Sequence, residues 1–390
     1  MGNVEKLKID AVGLLKIFSP AWLGILLLAG CWGSSSSVPE PFALPVTYPL
    51  GKKPSAVIAY DMNLDGFPDL LVTCAEDATL YYYEGVGNGT FKEPVVMKTG
   101  REPNALVAGD FNGDDIPDIA VSNYGDGSIS IILGQKDGIF KLKEPVKVGK
   151  LPLALVAGDF NNDHKLDLAV TLRFSKIVVL LGTGDGQFKM GEPFEVVGTP
   201  ASIVAGDYNS DKNLDLAITS NDVNSDGIQI LFGNGDGTFK PPQRISGGGQ
   251  SSYITQYDMN RDGKLDLIVS NTVADSLTLF LGDGKGGFHK MPDFAAEKAP
   301  GTVVAGEFTY DNFPDLVVCN SDGSISVLEG RGDGTFVFPH YNYPVGRHPR
   351  SMVAADFNRD GLLDLALILS DDALLEVIMR KPGGSSVEDG

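Results

Sequence analysis

A chain of 390 residues with 48 glycines, 23 prolines and 43% hydrophobic content is rich in turns and has ample material for a core, which favours an all-β fold over disorder. Its formal charge of −20, left uncompensated, would repel nucleic acid and anionic lipid surfaces and strain the compact state, so bound cations are expected. The length suggests two or three domains only if the sequence does not repeat.

Residues 1–30 read as an export leader. Lys6, Lys8 and Lys16 supply the positive region, the apolar run 17–30 is too short to span a bilayer, and Leu28-Ala29-Gly30-Cys31 ends it. That tetrapeptide resembles the bacterial lipoprotein signal. The resemblance implies cleavage before Cys31, acylation of its thiol, and a Ser-rich tether over residues 31–40. The expected location is outside the cytoplasm, on a membrane through the lipid, either in the periplasm or at the cell surface.

From residue 41 to residue 380 the chain repeats. A segment of the form Asp-x-Asn-x-Asp-x-x-x-Asp begins at Asp61, Asp110, Asp159, Asp207, Asp258, Glu307 and Asp356, at intervals of 49, 49, 48, 51, 49 and 49 residues. Such a period suits a blade of four short strands plus turns, and seven of them suit a seven-bladed β-propeller. The third repeat shows the phase: a first strand over 155–158, the acidic loop 159–167, strands over 168–171 and 177–181, a Gly-rich turn 182–188, and a fourth strand near 194–197. The Gly-rich turn returns at 85–91, 134–140, 233–239, 282–288 and 330–336, its glycines allowing a tight hairpin and its Phe returning to the core. The seventh repeat lacks that turn and its fourth strand. Residues 42–50 resemble the fourth-strand segments 91–99 and 336–345, so the N-terminal strand is expected to complete the last blade and hide both open edges. Residues 381–390 read as a flexible tail.

The acidic loops carry the chemistry. Carboxylates at positions one, five and nine and an amide at position three offer hard oxygens on one side of a tight loop, as calcium requires, with the position-seven carbonyl as a further ligand. The six intact sets are Asp61, Asn63, Asp65 and Asp69; Asp110, Asn112, Asp114 and Asp118; Asp159, Asn161, Asp163 and Asp167; Asp207, Asn209, Asp211 and Asp215; Asp258, Asn260, Asp262 and Asp266; and Asp356, Asn358, Asp360 and Asp364. The sixth loop departs, with Glu307 and Thr309 in place of Asp and Asn beside Asp311 and Asp315, and its ion stays open. The loops could instead be metal-free Asx turns. Against this, two carboxylates ~4 Å apart repel by ~4 kcal/mol at an effective dielectric near 20, and three are expected to converge in each loop. Six structural calcium ions would take the charge from −20 to about −8.

Segments 108–121 and 355–366 resemble the FG-GAP/VCBS repeat family. The chain is thereby similar to the propeller of integrin α subunits, to bacterial surface proteins and to certain fungal lectins. The resemblance covers nearly all of the mature chain and implies calcium in hairpin loops on one face of a seven-bladed ring. Function does not follow from the fold. The reading favoured by the sequence is a binding or adhesion module for a protein or glycan partner, non-enzymatic because no His-Glu-x-x-His, Gly-x-Ser-x-Gly or phosphate-loop motif is present, and without nucleic acid because of its acidic charge. The rival is a carbohydrate-active enzyme, a polysaccharide lyase or glycosidase, using carboxylates outside the loops such as Glu102, Glu329, Asp371 and Asp372. Tyr81 to Tyr83, Tyr124, Tyr341 and Tyr343 could stack on sugar, but core positions are expected for most. Cys74 and Cys319 fall in equivalent strands of non-adjacent repeats and read as buried free thiols. Arg331-Gly332-Asp333 lies in the recurring turn and reads as incidental, and Gly247 to Gly249 as a connector.

Overall fold

The structure, a computed structural model, describes residues 42–382 apart from 137, 223–226, 248–249 and 339–340. The leader, Cys31 and its tether, and most of the Gly247 to Gly249 connector lie outside the described residues.

These residues form seven antiparallel sheets and no helix. In blade one the strands are Pro54–Tyr60, Asp69–Cys74, Thr79–Tyr83 and Val95–Lys98, hydrogen-bonded in chain order from the axis outward. The first strands of successive blades touch all the way round, and that of blade seven, Pro349–Ala355, meets that of blade one. The ring is a closed seven-bladed β-propeller.

The periodicity has a direct packing cause. Each second strand is six residues long and buried along its whole length, because the neighbouring blades cover both of its faces. Runs such as Leu70 to Val72 and Leu216 to Ile218 are therefore continuously apolar rather than alternating. The core consists of seven layers, each between two successive blades.

Two features differ from the sequence expectation. First strands run longer, as in Pro152–Gly158, with a bulge just after the opening residue. Proline is tolerated as the first residue of a strand, so the Gly-x-x-Pro link is partly strand. In blades two, three and five the fourth strand is split in two, as in Phe188–Met190 and Phe194–Glu195, and it starts at the Phe of the turn.

The last blade closes as expected. Val46–Pro49 pairs with Leu374–Ile378 in antiparallel register, Val46 opposite Val377, and Phe42 bridges Arg380 just as Phe91 bridges Gly85. Phe42 is buried in the layer between blades six and seven and meets Tyr343 edge-on at 5.4 Å.

The glycine that opens each hairpin turn is required by close approach. At Gly182 a Cβ would run into the carbonyl of Leu166, and the five equivalent glycines face the same obstacle. Gly182→Ala is accordingly expected to cost about 2–3 kcal/mol. Urea denaturation would show a lowered midpoint with an unchanged slope; an unchanged midpoint would mean the contact relaxes freely.

Candidate metal loops and axial cavity

The acidic loops all join a first strand to a second strand, so they gather at one end of the ring. In the six intact loops the same hydrogen bonds recur. In the first, the amide of Asp65 donates to both Asp61 Oδ1 (3.1 Å) and Asn63 Oδ1 (3.0 Å), and that of Gly66 donates to Asp61 Oδ2 (2.7 Å). The amide of Phe67 donates to Asp65 Oδ1 (2.8 Å). Sharing one N–H turns the oxygens of positions one and three toward each other. To make this turn, positions four and six take left-handed backbone, with φ of 59° at Leu64 and 84° at Gly66.

Position nine does a second job. Asp69 has no exposed surface and opens the second strand. Its Oδ2 accepts from the amide of Met62 (2.9 Å) and from the Tyr82 hydroxyl (3.1 Å), and its Oδ1 accepts from the amide of Gly85 (2.7 Å). The carboxylate thus pins the loop to the hairpin end of its own blade. Burial pushes Asp69, Asp118, Asp167, Asp215, Asp266 and Asp364 up to about 6, against the backbone donors. At Asp118 repulsion from Asp114 and Asp110 adds to the rise. The turn that aims the oxygens of positions one and three toward each other, together with a donor set made wholly of hard oxygens, fits calcium at the six intact loops. When bound, the ion would supply two positive charges, held by the loop's own oxygens.

The sixth loop behaves differently. Asp315 keeps its anchors, accepting from the amides of Phe308, Thr309 and Gly330, and Asp311 still accepts from the amide of Phe313. Tyr310, at position four, does not take left-handed backbone. The expectation that three carboxylates crowd together is met here alone: among the described residues only Glu307, Asp311 and Asp315 each bring an oxygen within 4.8 Å of the others. Arg380, with a side chain 1% exposed, lies against them and donates through Nη2 to Glu307 Oε1 at 3.1 Å. Burial raises Glu307 above the ordinary carboxylate range, and the guanidinium draws it partly back.

The opposite end of the ring, where the first strands begin, opens into an axial cavity of about 1160 Å³. Its wall carries Glu102, Asn104, Tyr124, His348, Arg350 and Asp371. Nearby cations are committed: Arg101 pairs with Asp126 (2.7 Å) and Lys53 with Glu76 (3.3 Å). Among the described residues the Arg350 guanidinium has no hydrogen-bond or ion-pair partner, and desolvation lowers it from its ordinary value.

Glu102 and Asp371 share the cavity wall, Asp371 standing 3.4 Å from His348 Nδ1. Asp372 is bound by Arg347 (2.6 Å), and Glu329 is raised by burial and then by Asp311 and Asp315, at the loop end. Tyr82 and Tyr83 are core, Tyr81 lies partly buried against the layer between blades seven and one, and Tyr341 and Tyr343 lie against that between blades six and seven. Tyr124 alone of these reaches the cavity, its hydroxyl accepting from Arg173. Asp333 accepts from Thr335 of its own turn (2.9 Å), which commits the Arg-Gly-Asp carboxylate internally. Cys74 and Cys319 are buried and free. Position two was missed by the sequence reading, yet Met62, Phe111, Phe160, Tyr208, Met259, Phe308 and Phe357 are all buried. Their constant bulk beside the acidic residues was the available signal.

Comparison with known proteins agrees with this geometry. The FG-GAP-like repeat matches residues 61–121, 159–218, 207–269, 258–318 and 307–367. No curated protein matches the chain. Among solved structures, BBS1N in complex with ARL6DN is 15% identical over 89% of this chain and 99% of its own, with a TM-score of 0.61. Sqt1 of Saccharomyces cerevisiae is 13% identical over 84% of each chain, with a TM-score of 0.58. A catalytically inactive virginiamycin B lyase from Staphylococcus aureus, with quinupristin, is 15% identical over 87% of this chain and 99% of its own, also at 0.58. At such identities the likeness shows the fold alone.

Proposed function

Because the chain belongs to the FG-GAP-like repeat family, we propose that it is a calcium-stabilised, non-enzymatic binding module that takes an acidic group of a protein or glycan partner into its axial cavity. The observation that carries this reading is the unpaired Arg350 guanidinium in a 1160 Å³ cavity. In a chain of net charge −20 an uncommitted, partly desolvated cation is a strong local attractor for one anion. BBS1N, of the same fold, is seen in complex with a protein, which makes a protein partner reasonable here. Export and anchoring through acylated Cys31 rest on the leader, and mass spectrometry of the mature N-terminus tests them.

The test is capture from the native organism's envelope, and on an array of acidic and neutral glycans, in calcium. Wild type is expected to retain its ligand and Arg350→Ala to bind at least about tenfold more weakly, with an unchanged melting temperature. Equal retention would place the site elsewhere. The shared position of Glu102, Asp371 and His348 on the cavity wall favours one second reading, a carbohydrate-active enzyme. Product release from a bound glycan would establish it.

A further inference from the structure

We infer that the sixth loop is not a calcium site, and that the guanidinium of Arg380 is its permanent cation, supplied by the end of the chain that closes the ring. The contrast with six metal loops rests on the calcium reading above, but the role of Arg380 stands on contacts of its own.

Three departures from the repeat coincide at this place. First, the loop sequence changes to Glu307 and Thr309. The hydrogen bonds that positions one and three accept in the other loops are replaced by contacts to Arg380, whose Nη1 donates to the carbonyl of Glu307 (2.7 Å) and whose Nη2 donates to Glu307 Oε1 and to the carbonyl of Thr309. Second, the phase of Arg380 is that of the hairpin glycines. Its amide donates to Asp364 Oδ1 (2.7 Å) just as that of Gly85 donates to Asp69 Oδ1, yet here a long side chain is accommodated. Third, the neighbouring hairpin is missing. In blades one, three, four and five the hairpin caps the acidic loop of the blade before it: Gly89 donates to the carbonyl of Phe357, Gly186 to that of Phe111, Gly237 to that of Phe160 and Gly286 to that of Tyr208. Among the described residues blade seven has no hairpin, and its fourth strand comes from the N-terminus. Arg380 and Phe42 fill the space left over loop six, with Tyr310 under the guanidinium at 4.5 Å.

These departures have one physical cause. Closing the ring with the N-terminal strand removes the hairpin above one loop, and that same gap lets a side chain enter from the last strand. Carboxylates repel at short range, and the one loop where three of them converge is the one that a buried guanidinium touches. A divalent ion would have to share or displace that charge. The consequence is a seam that is locked in the absence of metal: Arg380 ties loop six to the last strand, and its bridge to Phe42 ties that strand to the N-terminus.

The experiment uses the full chain and compares wild type, Arg380→Gln, Glu307→Gln and the double variant, first in excess chelator. Arg380→Gln is expected to lower the melting temperature by about 5–10 °C, since breaking a buried pair strands its partner's charge. Adding Glu307→Gln is expected to recover part of that loss, which a mere packing defect would not allow. An Arg380→Gln protein that melts with the parent, or a double variant with no recovery, would overturn the assignment. If Arg380→Gln does not fold, Glu307→Gln alone reports on the same pair: a lowered melting temperature in chelator supports it and an unchanged one overturns it. Calcium bound after dialysis is then measured on wild type by elemental analysis. A seventh ion would overturn the inference; no ion at all would sink the calcium reading while leaving the chelator series to decide on Arg380.

Discussion

Removal of calcium at pH 7 is expected to lower the melting temperature by about 20 °C. An ion at 100 times its dissociation constant contributes ~2.7 kcal/mol per site, and six such sites exceed the ~5–15 kcal/mol net stability of an ordinary domain. Spread over an unfolding entropy of ~2 cal/mol/K per residue, the sum corresponds to that shift. The effect has a pH signature. Burial lifts Asp69, Asp118, Asp167, Asp215, Asp266 and Asp364 from 3.8 to about 6. A carboxyl whose folded value is raised holds its proton more tightly in the folded chain. Its contribution is complete below the unfolded value near 4 and is lost as pH rises through 6. Metal-free protein should therefore gain stability on going from pH 7 to pH 5, whereas calcium needs the ionised form and should stabilise less there. Scanning calorimetry with and without chelator at both pH values checks this. A chelator-insensitive melt at pH 7 would show that the loops are solvated turns.

Deletion of residues 42–49 is expected to have the second large effect. The segment supplies the outer strand of blade seven, Val46–Pro49, and its loss exposes the edge of Leu374–Ile378. It also removes Phe42 from a buried layer and Tyr48 from edge contacts with Tyr83 (5.6 Å) and Phe91 (5.7 Å). Truncating one buried Phe costs ~3–5 kcal/mol, so the whole segment should cost more than that. The truncated protein is expected to unfold over a broad range and to self-associate on size exclusion. A monomer that melts like the parent would mean that the ring does not need this strand.

The repeat makes the ring legible because each blade repeats residues that packing holds fixed: position nine must reach both the loop and the hairpin glycine, and the glycine must clear a carbonyl. The same rigidity revealed the closing strand, since Phe42 has the phase of Phe91. Split fourth strands were not legible. They lie outermost, with half-exposed residues such as Phe188 and Phe194, and breaks such as Gly191-Glu192-Pro193 interrupt their pairing without disturbing the core. Arg380 falls at the last position of the patterned chain. Only alignment with the hairpin glycines places it, and that alignment is hidden where the hairpin itself is missing. Arg350 was equally silent: it follows the first proline of its strand, where the other blades carry Ser55, Asn104, Leu153, Ala201, Ser252 and Gly301, and a change at one variable position of one repeat has no visible pattern.

Anomalous scattering from crystals grown in calcium tests the central claim most directly. The account predicts a peak in each loop that carries the full Asp and Asn pattern, among the oxygens of positions one, three, five and nine, and none beside Arg380. Ordered loops without anomalous signal, in protein never exposed to chelator, would contradict it.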